Sequence, residues 1–219
     1  AIYIGLSGGY GQYFESVFLL VARGFRLNVI LHHHSFAYLS RKKNTFSVLN
    51  SIAGNRAVHI VLCNHMAGRL RDTYPHIGDV HVISNHSFVD YSASNCPVRT
   101  ELSQIGFFSN VSQSKGVFKF LRVAEQLRAE FPSLKFGIGG PFIEPNLEAE
   151  VLKKVRSVDN VEWIGPVYGK KKQDFFHDTD LLLFPSTYVN EAEPLTIHEA
   201  LSWGIPVVAI ERGCISEII

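Results

Sequence analysis

Cysteine is scarce in this chain, with three in 219 residues, at positions 63, 96 and 214, and no Cys-x-x-Cys pair among them. Far apart and odd in number, they indicate neither a disulfide framework nor a zinc site, and a reducing, cytosolic setting fits that usage best. An excess of charge of one sign is missing as well. Twenty-one lysines and arginines against twenty acidic residues leave a formal net charge of +1. No broad basic surface therefore favours nucleic acid as a partner, and any phosphate must be gripped locally. No apolar run approaches the roughly 20 residues that span a bilayer, and the opening AIYIGLSGGYG has neither the charged start nor the cleavage site of a signal peptide. Fixed-period repeats and low-complexity tracts are absent too. What is abundant is apolar: 46% of the residues are hydrophobic and 16 are phenylalanine, enough to bury one good core or two small ones.

Short runs rich in Val, Ile, Leu and Phe recur, each followed by a segment with apolar residues at i, i+3, i+4 spacing. Strands are predicted over 1–6, 27–34, 58–63, 79–84, 104–109, 134–138, 160–164, 180–184 and 205–209. The clearest helix spans 116–131, with Phe120, Ala124, Leu127 and Phe131 on one face. A second begins at Asn146 as N-cap and runs through Leu147, Val151 and Val155. Near-continuous apolar strands alternating with helices predict an α/β protein built on parallel sheets covered on both faces. The stretch SFVDYSASNCPVRTEL has neither hydrophobic period and reads as a linker. A domain boundary is therefore placed near residue 95, giving domains 1–95 and 96–219. The chain opens on Ala and closes on CISEII just after a strand, which reads as a piece of a longer protein.

In open parallel sheets ligands collect at the carboxyl ends of strands. After strand 104–109 comes FFSNVSQSKGVFKFL, with Lys115-Gly116 directly before a helix. An ammonium beside free helix amides, with the Ser112 and Ser114 hydroxyls, makes an anion cradle; an ordinary solvated lysine at a Gly turn is the plainer alternative. SGGYGQYF, after the first strand, matches neither phosphate-loop spacing. In FGIGGPF the glycines at 139 and 140 permit positive φ and a close backbone approach, and in WIGPV the side chains of Ile164 and Val167 can cover the flat face of a base. HHHSF ends strand 27–34; neighbouring side chains there alternate faces, so the three histidines cannot share one metal, although one facing a cleft can donate to a sugar. The run Lys170-Lys171-Lys172 reads as a solvated helix start or as added charge beside a phosphate.

The densest candidate is NEAEPLTIHEALSWGIPVVA, residues 190–209. Pro194 suits a first helical turn, amides near Leu195 and Thr196 suit a diphosphate, and Leu195, Ala200 and Leu201 are expected to pack inward. An ionised carboxylate accepts bonds from a pair of hydroxyls, which fits Glu199 to a sugar diol. Acids that only complement a helix dipole would account for Glu191 and Glu193 but not for Glu199.

This stretch resembles the signature of family 4 glycosyltransferases, retaining enzymes of the GT-B fold. There, two glutamates separated by seven residues precede a Gly-x-Pro-Val-Val strand, and Glu191 and Glu199 have that spacing. IGFFSNVSQSKGVFKFL is similar to the family's phosphate loop, with Lys115 matching and Asn110 where an arginine commonly sits. LKFGIGGP, with Gly140, and NVEWIGPV resemble its donor-domain strands; VILHHHSF resembles its strand ending in His, which places the motif histidine at His34; VHVISNHSFVD resembles the segment before the interdomain linker. Glu193 and Pro194 replace the usual aromatic and glycine. The resemblance implies two Rossmann-like domains facing a cleft, the amino-terminal one incomplete, since the family's first strands and its closing segment are not in this sequence.

It further implies transfer of a sugar from a nucleotide diphosphate sugar to an acceptor hydroxyl, with retention and with neither cofactor nor metal, in glycan or polysaccharide synthesis. Lys115, Asn110, Gly140, Ile164, Val167, Leu195 and Thr196 would bind the donor, Glu199 its ribose. Glu191 would orient the donor sugar and His34 hydrogen-bond it, with domain closure excluding water. The acceptor would be a carbohydrate or lipid-linked, the enzyme cytoplasmic or peripheral at the inner membrane face. Three other readings remain: a glycoside hydrolase using paired acids, a GT-B 2-epimerase acting on the nucleotide sugar, and a nucleotide-sugar-binding protein without transferase activity.

Overall fold

The structure, a computed structural model, describes residues 1–89 and 99–219. The expected boundary near residue 95, like Cys96, lies outside the described residues. Two compact units are present, one made of Ala1–Ser87, Val189–Pro194 and Glu211–Ile219, the other of Phe88–Tyr188 and Leu195–Ile210. All nine predicted strands form, with ends within two residues of those expected. No helix among the described residues is long and apolar enough to cross a membrane.

The first unit holds a parallel sheet of β1 (Ile2–Leu6), β2 (Val29–His33), β3 (Val58–Val61) and β4 (Val80–Val82), in that order. Parallel neighbours need crossovers, and these are α1 (Gly11–Gly24), α2 (Asn44–Ala53) and α3 (Asn64–Thr73). The core gathers Leu31, Phe46, Leu49, Val61, Met66 and Leu70, with Tyr38 stacked on Phe46 at 4.6 Å between ring centres. The Tyr74 hydroxyl donates to the Tyr38 carbonyl at 2.6 Å and accepts from the Lys43 amide at 2.9 Å, so that polar tip is satisfied.

Histidines enter this core because β2 is buried along almost its whole length. The His33 ring lies between the Tyr38 hydroxyl, 3.0 Å from Nδ1, and His59 Nδ1, 3.0 Å from Nε2. Tyr3 hydrogen-bonds His32. Burial lowers His32 and His59 to about 4 and His33 well below its usual range. The unfolded chain takes up these protons near 6.5, the folded one only near 4, so stability falls as pH drops from about 6.5 towards 4. For His59 alone the expected loss between pH 7 and pH 5 is roughly 2 kcal/mol, read as a lower urea midpoint; an unchanged midpoint would show these rings to be protonated at no cost.

The pairing of Cys63 with Cys214 corrects the expectation of no disulfide. Sequence separation hid it: Cys63 follows β3, and the closing segment 211–219 returns to this unit, where Cys214 is buried and the Glu217 carboxylate accepts from the Asn64 and His65 amides at the start of α3. Burial would raise the Glu217 carboxyl, but those amides hold it below the usual carboxylate range. Cysteine usage consequently gives no ground for a reducing compartment.

The second unit is a five-stranded parallel sheet in the order β7-β6-β5-β8-β9: β5 (Gln104–Phe108), β6 (Lys135–Gly139), β7 (Val161–Gly165), β8 (Leu181–Phe184) and β9 (Val207–Ala209). Its helices are α4 (Val117–Leu127), α5 (Leu147–Arg156), α6 (Lys170–Asp178) and α7 (Leu195–Ser202). Arg99 ties the unit together by donating to the carbonyls of Thr179, Phe176 and Trp203 at 2.8–3.0 Å, which satisfies chain ends behind α6 and α7.

Three local expectations change. The first helix of this unit stops at Leu127, so Phe131, just before Pro132, is exposed, because the residue preceding a proline avoids helical ψ. Asn146 stands at the N-cap of α5 but makes no side-chain cap bond; acids in the first turn and bases in the last complement the dipole instead. The inward face of α7 is Ile197, His198 and Ala200, while Leu195 and Leu201 are exposed at 43% and 37%.

Candidate functional site

In the second unit the chain leaves β5 towards β6 on one side, while β8 pairs on the other, which makes the β5–β8 edge a topological switch point. Loops diverge there and open a crevice at the carboxyl ends. The 109–116 loop lies at this point and is fastened on two sides. Ser109 and Val111 donate to the carbonyls of Gly139 and Pro141, at 3.2 and 2.8 Å, while the Thr187 amide, after β8, donates to the Ser114 carbonyl at 2.8 Å. Gly140, with φ +132, brings its backbone so close to Ser109 that an added Cβ would lie 1.9 Å from that carbonyl oxygen. Only glycine fits where these two strand ends meet.

Lys115 rises from this loop one residue before the αL turn of Gly116 that starts α4. Its amide is held by Ser112 Oγ at 3.1 Å, and Ser112 and Ser114 share a 3.1 Å hydroxyl contact. The ammonium lies 5.1 Å from the Tyr188 ring centre and 5.8 Å from that of Phe184, so the aromatic residues ending and following β8 flank it. Asn110 is exposed on the same loop, Val167 is buried beside Gly139, and Ile164 is 38% exposed at the end of β7.

Glu199 sits on α7, one turn beyond Leu195 and the partly buried Thr196. Sequence reading left its carboxylate to a ligand; the structure gives it a protein partner as well, Lys172 Nζ, 2.5 Å from Oε1. The same ammonium lies 5.4 Å from the Phe108 ring centre at the end of β5. The solvated reading of the lysine run therefore does not extend to Lys172. Lys170 does pair with Asp174 on the surface, but Lys172 turns inward, a difference that a run of three identical residues cannot show.

His34 and Glu191 both belong to the first unit. His34 follows β2, exposed as a residue but with its ring 3.9 Å centre to centre from that of His32, and this partial burial lowers its titration below the ordinary value. Glu191 is 7% exposed, in a loop whose Asn190 carbonyl accepts from the Phe36 amide at 3.4 Å, so the segment after β2 and the acidic loop meet. Glu193 belongs to the first unit as well. Its carboxylate accepts from Ser84 Oγ and the Asn85 amide, both at 2.6 Å, and its own carbonyl accepts from Asn85 Nδ2. That clamp holds the acidic loop to the end of β4.

The family profile of Glycosyl transferases group 1 matches residues 97–219, which is more than half of the sequence. The chain belongs to this family. Among curated proteins none matches the sequence. Solved structures that resemble this group 1 chain include HepE of Anabaena in complex with UDP-glucose, with a TM-score of 0.72 and 18% identity over 95% of this chain and 60% of that one. A variant of S. aureus TarM crystallised with UDP has a TM-score of 0.67 and 22% identity, over 88% and 39%. Sucrose-phosphate synthase of Thermosynechococcus elongatus has a TM-score of 0.69 and 15% identity, over 99% and 57%. At such identities the likeness concerns the fold, the Rossmann-like parallel sheets of GT-B glycosyltransferases. The group 1 chain spans 60% or less of each of these proteins.

Proposed function

We propose that this chain carries the donor-binding machinery of a retaining, family 4 glycosyltransferase that moves a sugar from a nucleotide diphosphate sugar to an acceptor hydroxyl. The observation that carries the reading is Lys115, set at the switch point beside the start of α4 and between two aromatic rings. In transfer the bond from the anomeric carbon to the diphosphate breaks and one to the acceptor oxygen forms on the same face, while the acceptor gives up its proton. Negative charge grows on the departing diphosphate, where a fixed ammonium and helix amides lower the barrier most. Asn110 and the amides of Leu195 and Thr196 would add donors, Gly140 would allow close approach, Ile164 and Val167 would cover the base, and Glu199 would hold the ribose hydroxyls. Glu191 would orient the donor sugar and His34 donate to it. In this reading residues 1–95 form the acceptor-side domain and 96–219 the donor domain, save that Val189–Pro194 and Glu211–Ile219 belong to the first unit.

UDP is the favoured nucleotide, because relatives of this fold were solved with UDP-glucose and with UDP and GlcNAc. Acceptors are carbohydrates or lipid-linked sugars, in glycan or polysaccharide synthesis. The site of action is cytoplasmic or peripheral at the inner membrane face, although the Cys63–Cys214 bond stands against a fully reducing one.

Calorimetry tests the reading. UDP is expected to bind where simple oligosaccharides do not, and Glu199→Ala to weaken UDP by about 1 to 3 kcal/mol, the scale of a lost bond to a polar group held in a partly buried site. Binding of oligosaccharides with no response to UDP, GDP or ADP would overturn it in favour of hydrolysis.

A further inference from the structure

The run Lys170-Lys171-Lys172 contains one lysine that the fold treats differently. Phe175 packs against β5 and β6 where Gly106, Gly137 and Gly139 leave no side chain, since a Cβ at any of the three would lie 3.1–3.5 Å from its ring. Helix α6 is thereby drawn down onto the sheet, and its first turn is brought to the carboxyl end of β5. Lys172 lies on that turn with its side chain 31% exposed, against 83% for Lys170. Its ammonium lies 5.4 Å from the Phe108 ring centre and 2.5 Å from Glu199 Oε1, so three elements, the end of β5, α6 and α7, meet at one ion pair.

A surface pair between long side chains contributes little to stability and is lost among rotamers. Here the Lys172 ammonium lies over the Phe108 ring and the Glu199 side chain is only 22% exposed. Both partners are therefore held, and the contact uses one carboxylate oxygen. An ionised carboxylate has capacity for about four hydrogen bonds over its two oxygens. Oε2 and the remaining capacity of Oε1 stay available to a pair of hydroxyls.

We propose that Lys172 is a positioning residue for the nucleotide ribose: it holds the Glu199 carboxylate in the one orientation that accepts from the 2′- and 3′-hydroxyls. This rests on the reading of Glu199 as the ribose ligand. Lys172 does not itself touch the sugar, so its loss acts through the hydroxyls alone and leaves contacts to base and phosphate as they were.

The test compares UDP with 2′,3′-dideoxy-UDP by calorimetry on the full chain, as wild type, Glu199→Gln, Lys172→Met and Lys172→Arg, with unfolding midpoints measured alongside. Wild type is expected to prefer UDP by at least about ten-fold, the scale of hydrogen bonds to a charged acceptor. Lys172→Met should lose most of that preference with dideoxy-UDP affinity unchanged, and Lys172→Arg, which keeps a cation on the carboxylate, should retain most of it. Three results would overturn the proposal. The first is Lys172→Met keeping the full preference while Glu199→Gln loses it, which leaves Glu199 as the ribose ligand and removes only the lysine. The second is Lys172→Met weakening both nucleotides alike in step with a lowered midpoint, as a purely structural pair would, or Lys172→Arg failing as completely as Lys172→Met. The third is Glu199→Gln itself leaving the preference intact, which removes the ribose reading and the proposal with it.

Discussion

Lys115→Ala is expected to slow sugar transfer by about 10²- to 10³-fold in kcat, the loss seen when one fixed donor to a developing oxyanion is removed. The lysine is well placed for such an effect. Its loop is tied to the ends of β6 and β8 by backbone hydrogen bonds, and its ammonium lies between Tyr188 and Phe184. A group held before the reaction begins need not be reorganised during it, which is why positioned charge outweighs charge in water. The exposed Asn110 carries no charge to share the task. Binding separates this role from a general one: the substitution should weaken UDP much more than uridine. Equal losses for the two would remove Lys115 from the phosphate site, and an unchanged kcat would remove it from the departing charge.

The second large effect is structural. Gly116→Ala should destabilise the second unit by about 3 kcal/mol or more, because two costs coincide. The residue has φ +89, which an alanine adopts only with strain, and the new Cβ would lie 2.3 Å from the Pro185 carbonyl oxygen and 2.8 Å from its carbon. Both neighbours are backbone, so neither can turn aside. Gly204→Ala is the control: φ is +64 there, but nothing lies within 4 Å of the added atom. It should cost about 1 kcal/mol from conformation alone. The difference in urea midpoints measures the contact between the loops after β5 and β8. Equal midpoints would show that these loops separate freely, and with them the setting of Lys115.

How much of this could be read beforehand depends on the range of each signal. The strands were legible because a buried parallel strand carries its own message: β2 opens with Val-Ile-Leu and β5 carries Ile105, Phe107 and Phe108, and no distant partner is needed to say so. The loop at 109–116 and the helix after it were legible for a similar reason, since Lys115, Gly116 and the start of α4 are consecutive. The clamp made by Glu193 was not legible because its partners, Ser84 and Asn85, lie over a hundred residues away. Lys172 was passed over because its distinction from Lys170 is a matter of which way a helix faces, and α6 is turned by Phe175 settling on glycines of two other strands. The outward turn of Leu195 and Leu201 belongs with these. A helix of eight residues is too short for its apolar spacing to choose one face.

By itself, then, the order of residues determined an α/β protein on parallel sheets and the strands and helices that build it. These depend on backbone propensity and on periodicity, both of which act over a few residues. Only the tertiary structure decided that Cys63 meets Cys214, that Glu193 clamps the end of β4, that three histidines lie in a core, and that Glu199 already holds a lysine. Those facts depend on which surfaces are buried together, and burial is settled by the whole chain at once.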